Sequence, residues 1–271
     1  MENNNILVVK LGGGEGLDMP RSCADIARIA QTRPVVVVHG VSAKMNQMCE
    51  DLGISVQMLT SPSGHSSRYT NPRIRDIFVA AARAVNEDII EWLATDNIHA
   101  VGLTHEESVV ISGERKQALR AVVNGRVRII RDDYSGRISA VNRDCLLNRL
   151  NSGYVPVLPP MAISRDGLLN IDGDRASAAV AAELNADELV ILSNVQGLFR
   201  DFSDSDSLVP QVSRNQLSQA MDWAEGRMKR KVLGAQEAIE GGVQRVIIGD
   251  GRISHPVTNA LCGAGTTFLG N

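Results

Sequence analysis

Val8-Val9-Lys10-Leu11-Gly12-Gly13-Gly14 is the stretch on which the fold turns. Ile6 to Leu11 is a short β-branched and aliphatic run, the length of a buried strand, and it breaks into three consecutive glycines. Glycines in that place let backbone N–H groups crowd around an anion, because no Cβ blocks the approach. Lys10 adds a full positive charge at the same mouth. The combination suits a phosphate. It fits a flexible turn beside a solvated lysine equally well, because it follows neither the P-loop pattern nor G-x-G-x-x-G.

The rest of the chain narrows the choice. Arg21 to Thr32 carries apolar residues at helical spacing, and Pro34 to Val38 is a second fully apolar strand ending at His39-Gly40. Val41 to Leu52 then predicts a helix whose N-terminus could also face an anion. Val56 to Tyr69 predicts a hairpin flap, with Arg68 free to clasp a carboxylate in bidentate fashion or simply solvated. Asn71-Pro72 caps a long helix running to about Asp96. Further strands are expected at 100–104, 154–158, 188–192, 246–249 and, on an edge, 266–269. A hairpin of 127–130 with 136–141 is expected across Asp132-Asp-Tyr-Ser135, and another at Met161–Ile171. Asn170-Ile-Asp172-Gly-Asp174 opens an alanine-rich helix, where Asp172 by itself would be an ordinary N-cap. Strands alternating with helices over the whole length predict an α/β, three-layer sandwich with a mainly parallel central sheet.

Composition excludes several classes. The 271 residues are 44% hydrophobic and 22% charged, as in an ordinary globular protein. A net charge of -3 and 3% aromatics argue against nucleic-acid binding. Cys23, Cys49, Cys145 and Cys262 form no Cys-x-x-Cys pair, so reduced thiols are expected rather than a metal or disulfide role. The apolar run after the polar first residues is too short for a signal peptide or a membrane span, and a cytoplasmic protein is expected. Between residues 114 and 131, Arg115, Lys116, Arg120, Arg126, Arg128 and Arg131 face Glu114 alone. That run is either a solvated excursion or a docking surface for an acidic partner.

Six short motifs, in order and at their spacing, resemble the amino acid kinases over essentially the full length: Lys10-Leu-Gly-Gly13, His39-Gly40, Arg68-Tyr-Thr70, Asn170-Ile-Asp-Gly-Asp174, Leu192-Ser-Asn-Val-Gln-Gly197 and Gly226-Arg-Met-Lys-Arg-Lys231. Within that family the flap Ser-Pro-Ser-Gly-His-Ser-Ser-Arg-Tyr-Thr, Asn-Ile-Asp-Gly-Asp-Arg and Gly-Arg-Met-Lys-Arg-Lys-Val are most similar to the kinases of 2-aminoadipate linked to an amino-group carrier protein. The sequence departs from the family pattern at Val41, where a second glycine is usual, and at Ser66.

The resemblance implies one kinase domain over 1–271, with an N-lobe of about 1–165 for the acceptor and dimerisation and a C-lobe of about 166–271 for ATP. It implies phosphoryl transfer from ATP to a side-chain carboxylate, giving an acyl phosphate in lysine biosynthesis. Lys10 would serve the attacking side and Lys231 the leaving side, with Asp174 holding both. Gly12 and Gly13 would donate N–H groups to phosphate; Ser193, Asn194, Val195, Gly197 and Leu198 would contact the nucleotide. Gly40, Val41, Arg68 and Asn170 would bind the acceptor. Magnesium would ride on ATP without a protein carboxylate cage. The implied partners are a small acidic carrier protein and a second copy in a homodimer, with no nucleic acid and no membrane. Acetylglutamate kinase, a carrier-linked glutamate kinase of arginine biosynthesis, and a non-catalytic nucleotide or amino-acid sensor are the alternatives.

Overall fold

The apolar runs β1 (Leu7–Leu11) and β2 (Val35–His39) lie side by side in parallel, Lys10 opposite Val38 and Leu11 opposite His39. Every residue of both is buried, as a strand covered on two faces requires. The computed structural model describes residues 5–62, 64, 66–123 and 125–270; the predicted flap residues Ser63 and His65 lie outside them.

Between and after these strands come α1 (Met19–Ala30) and α2 (Ser42–Asp51). The flap forms as β3 (Met58–Thr60) paired antiparallel with β4 (Ser66–Arg68), and α3 (Pro72–Thr95) follows. Asn71 caps α3 by accepting from the Ile74 N–H at 3.0 Å. Next are β5 (Ala100–Gly102), β6 (Ile111–Arg115), β7 (Leu119–Val123), β8 (Arg126–Ile130), β9 (Gly136–Val141) and α4 (Arg143–Asn151). The remainder holds β10 (Val155–Leu158), β11 (Met161–Ser164), β12 (Gly167–Asn170), α5 (Gly173–Glu183) and β13 (Glu188–Ser193). It closes with β14 (Gln211–Val212), α6 (Leu217–Trp223), α7 (Met228–Glu240), β15 (Arg245–Asp250), α8 (Pro256–Leu261) and β16 (Thr266–Leu269).

The central sheet runs β14-β16-β15-β13-β1-β2-β10-β5 and is parallel at every junction except β15–β16. One face, with Ile6, Val8, Val36, Val38, Ile191 and Ile248, packs on α4, α5, α6 and α7. The other, with Leu7, Val9, Leu11, Val37, Val190 and Ile247, packs on α1, α3 and α8. This is the three-layer sandwich that the alternation predicted. Two smaller four-stranded sheets, β12-β11-β6-β9 and β4-β3-β7-β8, stand beside it.

Two expectations fail. The strands β8 and β9 do not pair: β8 folds back on β7, and β9 joins β6 in the other small sheet. The turn between β7 and β8 passes through Gly125 at φ +72°, and the Asn124-Gly125 dipeptide is the sequence signal for it. Residues 132–135 are pinned instead by buried Asp133, which accepts from the backbone N–H groups of Thr70 and Ser135 at 2.9 and 2.8 Å. Nor is β16 an edge strand, because the two-residue β14 lies outside it. The basic run also divides. Arg115 turns inward, donating to the Asp133 carbonyl at 2.9 Å and lying 4.1 Å over the Tyr134 ring, while Arg120, Arg126, Arg128 and Arg131 stay exposed.

Candidate active site

Alternation along β1 puts Lys10 on the same face as Ile6 and Val8, the face covered by α5 and α7. Because Lys10 is near the C-terminal end of its strand, its ammonium reaches the first turn of α5. There it lies 2.8 Å from Asp174 Oδ1, with both side chains buried. Lys231, in the first turns of α7, brings its own ammonium to 3.2 Å from Asp174 Oδ2. One carboxylate thus holds two cations drawn from opposite ends of the chain, and the trio carries a net positive charge. Burial alone would raise the Asp174 pKa, but the two ammonium groups outweigh it and hold the carboxyl at about 2. Burial, then the Lys10 charge, lower the Lys231 pKa, and Asp174 opposes both. Asp172 caps α5, accepting from the Asp174 and Arg175 N–H groups at 3.0 and 3.1 Å. Lys229, two residues from Lys231, is exposed.

The turns after β1 and β2 cross backbone on backbone. A Cβ built on Gly13 would lie 2.4 Å from the Gly40 carbonyl carbon and from the Val41 nitrogen. The donor role expected of these turns narrows accordingly. Gly12 gives its N–H to the Leu192 carbonyl at 3.1 Å, and Gly40 gives its own to the Leu11 carbonyl at 2.9 Å, so neither has an amide to spare. The N–H groups of Gly13 and Val41 have no protein acceptor among the described residues. Val41 is the N-cap of α2 and offers no side-chain cap, which leaves the positive end of that helix facing the turns. A cavity of about 420 Å³ opens here, lined by Gly12 to Gly14, Gly40, Val41, Lys44 and Trp92.

Behind Gly40, His39 is fully buried at the end of β2. Its Nε2 accepts from the Asn86 amide of α3 at 3.1 Å, which leaves the proton on Nδ1, 3.4 Å from the Gly40 carbonyl. Burial pushes the imidazole pKa down to about 4, with the Lys10 charge adding to the shift. Asn86 carries no signal in the sequence beyond being a polar residue on the apolar stripe of α3.

Arg68 and Asn170 are linked through Thr70 at the base of the flap. The Asn170 amide donates to Thr70 Oγ1 at 3.1 Å, and that hydroxyl donates to the Arg68 carbonyl at 3.2 Å. Arg68 Nη2 donates to Asn46 Oδ1 at 2.5 Å, while its Nη1 is buried with no partner among the described residues. An orphaned guanidinium donor of this kind fits a ligand carboxylate. Two arginines from the Gly226–Lys231 motif complete the rim. Arg230 donates to the Ser66 carbonyl of the flap and lies 3.5 Å from Asp172 Oδ2, and the Arg227 charge is felt at Arg68.

On the nucleotide side, Ser193 and Asn194 emerge from the end of β13 next to the β1 turn, and Asn194 is exposed. Gly197 and Leu198 are buried under them. A Cβ on Gly197 would lie 2.6 Å from Thr266 Oγ1, and the Leu198 N–H donates to that hydroxyl at 2.8 Å. Those two residues are held against Thr266. Among the described residues no cluster of three or more His, Cys, Asp or Glu is placed to hold a metal ion. No helix in the described residues is long and apolar enough to cross a membrane. The buried ammonium pair, the unspent Gly13 amide and the methyl-free crossing together fit a polyphosphate.

Similarity to known proteins agrees with this arrangement. A [LysW]-aminoadipate kinase of Deinococcus radiodurans is 41% identical over 265 residues, covering 97% of this chain and 91% of the relative. The [LysW]-aminoadipate kinase of Thermus thermophilus is 39% identical over 266 residues, covering 96% and 99%. A Nitrosopumilus maritimus protein whose name pairs [LysW]-aminoadipate with [LysW]-glutamate kinase is 34% identical, covering 94% and 96%. Among solved structures, N-acetylglutamate synthase of Neisseria gonorrhoeae superposes with a TM-score of 0.79 at 23% identity, over 98% of this chain and 59% of that one. Carbamate kinase of Giardia lamblia bound to AMP-PNP superposes with a TM-score of 0.68 at 16% identity, over 99% of each chain. Residues 5–250 match the profile described as "Amino acid kinase family". With the two lysines, their shared aspartate and the crossed glycine turns in place, this chain belongs to the amino acid kinase family.

Proposed function

We propose that this protein transfers the γ-phosphoryl group of ATP to the side-chain carboxylate of 2-aminoadipate held on an amino-group carrier protein, in lysine biosynthesis. The observation that carries the chemistry is the convergence of Lys10 and Lys231 on Asp174 at 2.8 and 3.2 Å, beside the crossed glycine turns. The acceptor rests on the names of the relatives at 41% and 39% identity.

A carboxylate is ionised at neutral pH and attacks without a general base. The barrier lies in bringing two anions together and in stabilising the charge on the transferring group. Lys10 serves the attacking side and the γ-phosphate, Lys231 the leaving oxygen, and Asp174 fixes both ammonium groups without taking a proton. The Gly13 amide adds a donor of fixed position. Arg68 and Asn170 grip the amino-acid end of the acceptor. Magnesium brought with ATP would supply further charge neutralisation. In this reading the acceptor sits on the N-lobe, about residues 1–165, and ATP on the C-lobe, about 166–271. The same resemblance carries the expectation of a cytoplasmic homodimer.

A second reading, phosphorylation of carrier-linked glutamate in arginine biosynthesis, is favoured by the relative whose name pairs both acceptors. ADP release measured with carrier-linked aminoadipate, carrier-linked glutamate and free acetylglutamate tests the proposal. The highest kcat/KM is expected with the first. Turnover of acetylglutamate alone would overturn it.

A further inference from the structure

Most large apolar side chains on this surface are exposed singly, but four stand together on the sheet β4-β3-β7-β8. They are Met58, Val122, Val127 and Ile129, exposed by 54, 40, 48 and 57%. Register places them on one face. Val122 is opposite Val127 and also opposite Thr60, while Met58 lies two residues from Thr60 on β3. Ile129, two residues from Val127, is opposite Arg120. Directly opposed residues project from the same side of an antiparallel pair. The reverse side carries Leu59 and Ala121, both buried against the protein. A sheet closed on one side normally turns polar residues to water on the other; here that side sets four large exposed apolar residues beside Thr60, Ser66, Arg68 and Arg120.

The charge on these strands is one-sided. Among their residues are Arg68, Arg120, Arg126 and Arg128 and no acidic residue at all. The face also runs into the candidate active site, because Met58 is directly opposite Arg68, the residue with the orphaned guanidinium donor. An acceptor tethered to another protein can enter only if the body of that protein rests beside the mouth.

We propose that this sheet face is the docking surface for the acceptor-bearing protein. Its occupant presents apolar side chains to Met58, Val122, Val127 and Ile129, and a carboxylate to Arg120, which shares that face with Ile129. A second copy of this chain fits poorly. A two-fold contact through an acid-free face would set arginines against arginines. The inference rests on the carrier-linked reading of the function.

The test is steady-state kinetics of the full chain with carrier-linked aminoadipate. Val127→Glu/Ile129→Glu is expected to raise KM for that substrate by about tenfold or more, the loss expected when an interface anchor is charged. The kcat, the KM for ATP and the thermal midpoint should stay roughly unchanged. Arg120→Ala should raise the same KM less and weaken its dependence on salt. Tyr154→Ser, at an exposed apolar residue just before β10, should change nothing. Unchanged KM in the doubly charged variant of an enzyme active on the carrier-linked acceptor would overturn the docking surface and leave the function standing. Loss of a wild-type dimer in that variant, seen by sedimentation, would assign the face to a second copy and overturn it too. A wild-type enzyme inactive on the carrier-linked acceptor would instead fail the functional reading, and the docking surface with it.

Discussion

Gly234 of α7 faces the main chain of Asp174 so closely that a Cβ built on it would lie 3.0 Å from the Asp174 carbonyl oxygen. The missing side chain sits one turn beyond Lys231 and lets α7 approach α5 near enough for that lysine to reach the aspartate. Gly234→Val is therefore expected to move α7 outward, lengthen the Lys231–Asp174 contact and lower kcat by about tenfold or more. Gly234→Ala should cost less activity, and its loss of fit is partly offset by the higher helix propensity of alanine, roughly 0.5–1 kcal/mol. Kinetics and thermal melts of the pair would show activity falling faster than stability.

Removing either cation should stop the chemistry and spare the fold. In Lys10→Met Asp174 keeps Lys231 at 3.2 Å, in Lys231→Met it keeps Lys10 at 2.8 Å, and in both it remains ionised at neutral pH. Loss of one fixed charge on a transition state costs about 100- to 1,000-fold in kcat. Near-normal turnover in either variant, with an unchanged circular dichroism spectrum, would refute the roles assigned here.

Acid should weaken the protein in two stages. The unfolded His39 imidazole takes up a proton below pH 6.5, whereas the buried one refuses it until about pH 4. Stability from this group is full above pH 6.5 and falls as pH drops through that interval, by on the order of 3 kcal/mol. Asp174, held at about 2 against an ordinary 3.8, adds a second loss at lower pH, when the unfolded carboxyl protonates before the folded one. Denaturant midpoints measured against pH would reveal both slopes. His39→Gln should flatten the upper one, and an unaltered slope would count against a neutral buried histidine.

The neighbouring glycines should respond unequally to a single methyl. At Gly13 it meets backbone of residues 40 and 41 at 2.4 Å, with nothing flexible to yield. At Gly12 the contacts are 3.0 Å to the Leu192 carbonyl and 3.2 Å to the Leu17 side chain, and the leucine can move. Gly13→Ala is expected to unfold the turn or abolish activity, while Gly12→Ala loses about 1–3 kcal/mol of stability at most. Melting temperatures of the two variants would decide.

Most of the layered fold is readable because strands such as Leu7–Leu11 and Val35–His39 are continuous apolar runs bounded by a glycine, proline or asparagine, whereas the two-residue β14 carries no such run. The pairing of β8 was misread because residues 127–130 and 136–141 are adjacent in the chain. The signal that decides it, Asn124-Gly125, is only two residues long. Lys10, Asp174 and Lys231 could be picked out one by one from their motifs. What no spacing reveals is that the Gly12 and Gly40 amides are taken up by neighbouring strands, or that Gly197 is small to clear Thr266. Arg230, Asn86 and Asp133 escaped notice for a related reason: each acts through a partner more than 40 residues away, Ser66, His39 and Thr70 respectively.

The three charges at the heart of the cleft come from the first strand, the middle of the chain and a helix close to its end. A nascent polypeptide that has released only its N-terminal half owns a lysine but neither its counter-ion nor the second cation. On the proposed roles, a chain not yet extended as far as Lys231 holds no complete phosphate-binding trio.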